Sequence, residues 1–191
     1  MTTRQIRLIG LTGTIASGKS TVLSAFAACG AQTLCADELV RELYQTRPVQ
    51  RQLEAWFGSS CPKQVAAAVF RSAAARRKLE QWLHPQVWRL AQKKMKAFSK
   101  PWAVFEVPLL FEAGWDAYMD LTLVVAGRPQ AKWLRARGIT RQEYERRLKT
   151  QSPVAEKIRR ADLVIVNDGS QAALQQKVAR MYRALTDFYE K

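Results

Sequence analysis

The stretch "IRLIGLTGTIASGKSTV", residues Ile6–Val22, decides the fold. An apolar run ends abruptly in small residues, and a lysine and two hydroxyls then open a helical run. Inside it Gly13–Ser20, "GTIASGKS", fits the spacing G-x-x-x-x-G-K-[ST] between a predicted strand and a predicted helix. In such a loop successive backbone N–H groups and the helix N-terminus surround a β-phosphate, while the lysine reaches the β- and γ-oxygens and the following hydroxyl ligates Mg²⁺. Gly13, Thr14, Ile15, Ala16, Ser17, Gly18, Lys19, Ser20 and Thr21 are therefore candidate nucleotide-binding residues, with Lys19 also catalytic and Ser20 also a metal ligand. The motif is specific for a nucleoside triphosphate and nearly silent on the acceptor.

Outward from the loop, β-branched apolar runs alternate with helix-length segments, the pattern of a parallel α/β sheet with crossover helices. Strands are predicted at Ile6–Thr12, Thr33–Cys35, Trp102–Val107, Leu121–Ala126 and Leu163–Val166. Runs such as "LTLVV" and "LVIV", apolar on successive residues, suit strands buried on both faces. The interval Glu38–Pro101 is too long for one crossover; its periodic Leu, Trp, Ala and Val predict several helices interrupted near Pro48, Pro62 and Pro85. A second helical excursion, Pro129–Arg160, contains "TRQE" at Thr140–Glu143, spaced as a capping box. The stretch from Ser170 reads as a closing helix. One α/β domain over residues 1–191 is expected, with helical insertions at about 38–101 and about 128–160.

At 48% apolar and 25% charged residues the chain has an ordinary globular composition, with no apolar run of bilayer length and no targeting segment, so cytoplasmic residence is expected. Three cysteines, an odd count without metal-like spacing, read as reduced thiols. The net charge of +15 implies polyanionic partners, and eleven Lys and Arg fall between Arg128 and Arg160 against Glu143, Glu145 and Glu156. Charge alone does not separate nucleic acid from nucleotides or anionic cofactors.

Asp37 stands just past the second strand, where substrates sit in open α/β sheets. It is placed either as a base for an attacking hydroxyl or as a helix N-cap. Glu106, ending "WAVFE", is a candidate Mg²⁺ residue or a polar strand end. His84, before Pro85, reads more simply as a structural residue than as a catalyst. Trp56 and Trp82 read first as packing residues.

In order along nearly the whole chain, "GLTGTIASGKSTV", "CADELVRE", "WFG" at Trp56–Gly58, "HP" at His84–Pro85, "VPLLFE" at Val107–Glu112 and "ADLVIVNDGS" at Ala161–Ser170 resemble the dephospho-CoA kinase family. Those P-loop kinases transfer the γ-phosphate of ATP to the ribose 3′-hydroxyl of dephospho-CoA. The resemblance implies a five-stranded parallel sheet with helical acceptor-binding and lid insertions, ATP as co-substrate with Mg²⁺, and Asp37 as the general base. It also implies a catalytic lid arginine at Arg137, Asn167 near the adenine of ATP, and Asp37, His84, Pro108, Leu109 and Glu112 on the acceptor side. The chain departs from the family pattern at Thr14, Ala16 and Cys35, in a shortened "SSCPKQV" at residues 59–65, and at Trp133. The alternatives are another P-loop small-molecule kinase, or a basic nucleotide-dependent nucleic-acid-binding protein. A guanine-reading Asn-Lys-x-Asp motif is absent from the sequence. No membrane, nucleic-acid or obligate protein partner is expected.

Overall fold

The structure, a computed structural model, describes residues 6–127, 134, 138, 140–148 and 150–189. In chain order its elements are β1 (Arg7–Gly13), α1 (Lys19–Ala28), β2 (Gln32–Cys35), α2 (Ala36–Tyr44), α3 (Arg47–Phe57), α4 (Pro62–Arg71), α5 (Ala73–Met95) and β3 (Trp102–Glu106). A short 3₁₀ turn (Trp115–Tyr118), β4 (Leu121–Gly127), α6 (Arg141–Leu148), α7 (Val154–Arg160), β5 (Leu163–Asn167) and α8 (Gln171–Tyr189) follow. Internal contacts divide the chain into two units, residues 1–34 with 98–191, and residues 35–97.

The first unit is built on a five-stranded sheet of order β2-β3-β1-β4-β5. β1 pairs in parallel with β3 and with β4, and β4 with β5. All five predicted strands are present, with ends shifted by about one residue, the usual uncertainty where pairing frays. The central strands β1, β3 and β4 are apolar on successive residues because both faces are covered, whereas the expectation for "LVIV" is corrected: β5 is an edge strand, and Val164 and Val166 are exposed. On one face Ile9, Leu11, Val104, Leu123, Val125 and Ile165 form a cluster with Val22 and Phe26 of α1 and with Leu174 and Val178 of α8. Each fully buried aliphatic or aromatic side chain there contributes roughly 1.5–3 kcal/mol. On the other face a Cβ on Gly10 would lie 2.7 Å from Met119 and 3.0 Å from Leu110, so glycine admits the turn after β3 against β1. Carboxylates fasten the strand starts: Asp120 accepts from the Leu8 N–H at 2.6 Å, and Asp162 accepts from the N–H and hydroxyl of Thr122, each at 2.7 Å.

The second unit is wholly helical among its described elements and packs around Val49, Leu53, Val65, Leu79 and Leu83. Pro48 and Pro62 start α3 and α4, as predicted, where a missing N–H costs nothing. Pro85 corrects the sequence reading: it lies inside the 23-residue α5 and does not interrupt it. The reason is the buried stripe Leu79, Leu83, Val87 and Ala91, spaced one turn apart and running unbroken past the proline. Packing of that stripe outweighs one lost backbone hydrogen bond.

Candidate active site

β1 delivers the glycine-rich loop to the carboxyl edge of the sheet, next to the point where strand order runs from β1 to β3 on one side and to β4 on the other. Crevices at such switch points are where open α/β sheets bind ligands. Gly13 leaves β1 at φ +154°, and a Cβ there would lie 2.5 Å from the Val125 carbonyl and 2.7 Å from Ser17 Oγ. The Ser17 N–H donates to the Thr14 carbonyl at 3.1 Å, closing a turn with Ile15 and Ala16 in its middle. Gly18, at φ +100°, caps α1. Lys19 starts that helix, and its Nζ reaches back to the carbonyls of Gly13 and Thr14, each at 3.0 Å. An ammonium is thus held over the loop mouth, with the Ser20 hydroxyl exposed on the first helical turn.

The neighbouring strand ends contribute the rest of this edge. Glu106, 8% exposed, ends β3 two residues before Pro108. Asn167 ends β5, and its Nδ2 donates to the Ser17 carbonyl at 2.9 Å. A Cβ on Gly18 would collide with that same amide nitrogen, and one on Gly127 would lie 2.8 Å from the Ser17 carbonyl. Glycine is required at both places so that β4, β5 and the loop can close on one another.

The turn "PLLFE" after β3 is fixed from two sides. Thr12 Oγ1 donates to the Pro108 carbonyl at 3.1 Å, and Lys157 of α7 lies 3.4 Å from the same oxygen. Lys157 is fully buried and pairs with Glu112 at 2.9 Å, whose side chain is 17% exposed. The same Glu112 oxygen accepts from the Ser152 N–H at 2.7 Å. Arg160 adds a bond to Asp116 at 2.9 Å and stands over the Phe111 ring at 4.6 Å. Next to Ser152, Gln151 extends its Oε1 to the Ile15 N–H at 3.2 Å. Within the first unit these contacts tie the loop to Asn167 and Gln151, and Thr12 and Lys157 to the turn of Pro108 and Glu112, while Glu106, Leu109 and Thr21 lie in the same unit.

Asp37 and His84 belong to the second unit. Asp37 is exposed in the first turn of α2, but Cys35 occupies the N-cap, so the capping alternative for Asp37 is corrected: it stands two positions past the cap. A carboxylate there still complements the positive end of the helix dipole. His84 is half-buried in α5, and burial pushes its imidazole below the ordinary value, partly opposed by Glu80 one turn earlier. Trp56 and Trp82 pack edge to face at 5.2 Å, with Lys78 Nζ 4.2 Å over the Trp56 ring. Arg137, with Trp133 and Arg135, lies outside the described residues.

Gln151 and Lys157 were not singled out by the sequence. Lys157 sits in "VAEKIRR", which reads as a solvated basic helix, and Gln151 touches the loop across 136 residues of chain.

The dephospho-CoA kinase family profile matches residues 7–173. The dephospho-CoA kinase of Anaeromyxobacter dehalogenans is 37% identical, over 92% of this chain and 90% of its own length. That of Symbiobacterium thermophilum is 35% identical, over 94% of this chain and 81% of its own. A crystal structure described as TT1252 from Thermus thermophilus superposes with a TM-score of 0.84 at 30% identity, covering 97% of this chain and 98% of that one. A phosphate loop at the switch point of a five-stranded P-loop kinase sheet and likeness over nearly the full length agree, and the chain belongs to the dephospho-CoA kinase family.

Proposed function

We propose that this protein transfers the γ-phosphoryl group of ATP to the ribose 3′-hydroxyl of dephospho-CoA, forming coenzyme A and ADP. The observation that carries the reading is the loop itself, with Lys19 held over its mouth at the switch point of the sheet, in a chain of this family.

In this reading the backbone of Gly13 to Gly18 and the start of α1 bind the ATP phosphates, with Thr21 beside them and Asn167 toward the adenine. Asp37 takes the proton of the 3′-hydroxyl, that oxygen bonds to the γ-phosphorus, and the bond to the β–γ bridging oxygen breaks to release ADP. Lys19, together with Arg137 from the 128–160 lid, takes up charge on the phosphoryl oxygens. His84, Pro108, Leu109 and Glu112 serve the acceptor side. The described residues fit Mg²⁺: Ser20 presents a hard hydroxyl oxygen on the first turn of α1, and Glu106 a carboxylate at the end of β3. Mg²⁺ ordinarily keeps waters and substrate phosphate oxygens beside one or two protein ligands, which suits so small a donor set. Bound there, the ion would supply neutralisation of charge on the phosphoryl oxygens.

No helix among the described residues is long and apolar enough to cross a membrane, and cytoplasmic residence without an obligate protein partner suits a small-molecule kinase. The test is a coupled assay with ATP, Mg²⁺ and dephospho-CoA, with the product identified by mass. Formation of 3′-phosphorylated product is expected. ADP formation that does not depend on dephospho-CoA, or a preference for a different hydroxyl acceptor, overturns the assignment.

A further inference from the structure

Ala16 has φ +59°, and no other described non-glycine residue has a positive φ. It occupies the third position of the turn closed by Thr14 and Ser17, with Ile15 at negative φ in the second, which is the arrangement that calls for glycine in a type II turn. A Cβ in the left-handed region disfavours that conformation by roughly five- to thirty-fold against glycine. The loop is nevertheless held there. The two residues flanking Ala16 are each bonded to a side-chain amide from a distant part of the same unit: Ile15 N–H to Gln151 Oε1 at 3.2 Å, and Ser17 C=O to Asn167 Nδ2 at 2.9 Å.

We infer that Gln151 and Asn167 form an amide clamp that holds the Ala16 turn in its nucleotide-binding form, and that Gln151 is a positioning residue for ATP. Gln151 is itself fixed, because its neighbour Ser152 donates to Glu112, which is paired with the buried Lys157. Without the clamp the Ile15–Ala16–Ser17 backbone can relax to negative φ, turning peptide groups away from the nest that receives the phosphates. Glycine at position 16 removes the reason to relax, so the dependence on Gln151 should vanish with it.

The inference rests on reading the loop as the ATP site, and its test needs no acceptor. Affinity for the Mg²⁺ complex of β,γ-imido-ATP is measured by calorimetry for the parent, Gln151→Met, Ala16→Gly and the double variant. Gln151→Met is expected to weaken binding by roughly ten-fold, within the span above. Whatever affinity Ala16→Gly has by itself, the double variant should fall within about two-fold of it. In turnover, the KM for ATP should rise with Gln151→Met while the KM for dephospho-CoA stays put, a split that general loss of stability would not produce. If Gln151→Met does not fold, Gln151→Asn, shorter by one methylene, is measured in its place. Equal loss in the parent and Ala16→Gly backgrounds, or no loss in either, overturns the clamp while leaving the kinase reading intact. A parent that does not bind the analogue overturns both.

Discussion

Removing either end of the Lys157–Glu112 pair should destabilise the protein, but not equally. Breaking a buried ion pair by deleting one partner typically costs about 3–5 kcal/mol, because the other charge is left in the interior. Lys157→Met keeps most of the stem volume and strands Glu112, yet that side chain is 17% exposed and keeps the Ser152 N–H at 2.7 Å. The cost should therefore fall below the range, at about 2–3 kcal/mol. Glu112→Leu strands the ammonium instead, which has 0% exposure and a longer bond of 3.4 Å to the Pro108 carbonyl. That cost should lie at the top, about 4–5 kcal/mol. At roughly 2–4 °C per kcal/mol for a chain of this size, the melts should drop by about 4–12 °C and about 8–20 °C. The double substitution leaves no charge behind and should recover to within about 1 kcal/mol of the parent. Thermal melts and urea midpoints near neutral pH read all three. Superimposable melts, or Lys157→Met the more damaging of the two, would refute the argument that burial of the ammonium sets the cost.

Lys19→Ala should nearly abolish turnover while the melt persists, since the core lies in the strands; near-normal steady-state rates would contradict its role over the loop. Asp37→Asn should lower turnover by on the order of 10²–10⁴-fold if Asp37 is the base. Its stability cost should stay within about 0.3–1 kcal/mol, the worth of a charge in the first turn of a helix, and full activity with an unshifted melt would send the search for the base elsewhere. His84 has a folded value depressed by burial, so its contribution to stability is present above the unfolded value near 6.5 and lost as pH falls from there through the folded value. His84→Gln should flatten the fall of the urea midpoint as pH drops below about 6.5 relative to the parent, and parallel curves would show that this imidazole is not responsible.

Which parts of this molecule were legible in its sequence follows from how local their causes are. β1 and β4 were readable because burial on both faces leaves its mark residue by residue, and the loop because glycine and lysine spacing is dictated by local backbone geometry. Pro85 misled because helix breaking is a local tendency, whereas the stripe from Leu79 to Ala91 that carries α5 through it is a tertiary effect. Lys157 looked like any surface lysine until α7 packed it beneath the turn holding Glu112. Asp37 was placed correctly after β2, but the cap reading failed because α2 starts with Cys35 as its N-cap, a shift of two positions that the sequence does not resolve. The strain at Ala16 could be suspected from the absence of glycine there, but its support by Gln151 and Asn167 could not, since both reach the loop from more than a hundred residues away.

The central position of β1 has a consequence for synthesis on the ribosome. Its parallel neighbours are β3, in register from Arg7 opposite Trp102, and β4, from Ile9 opposite Leu121. At roughly 5–20 residues per second, about 5–20 s pass between emergence of the nascent β1 and that of its first partner strand. During that interval Leu8, Ile9 and Leu11, which end at 5%, 0% and 0% exposure, have no sheet to enter. The helices of residues 35–97 draw on contacts among themselves and can collapse early, as low-contact-order elements do. The phosphate loop, strung between β1 and α1, therefore takes shape only late in translation, and the nascent segment ahead of it is where a holding chaperone would act.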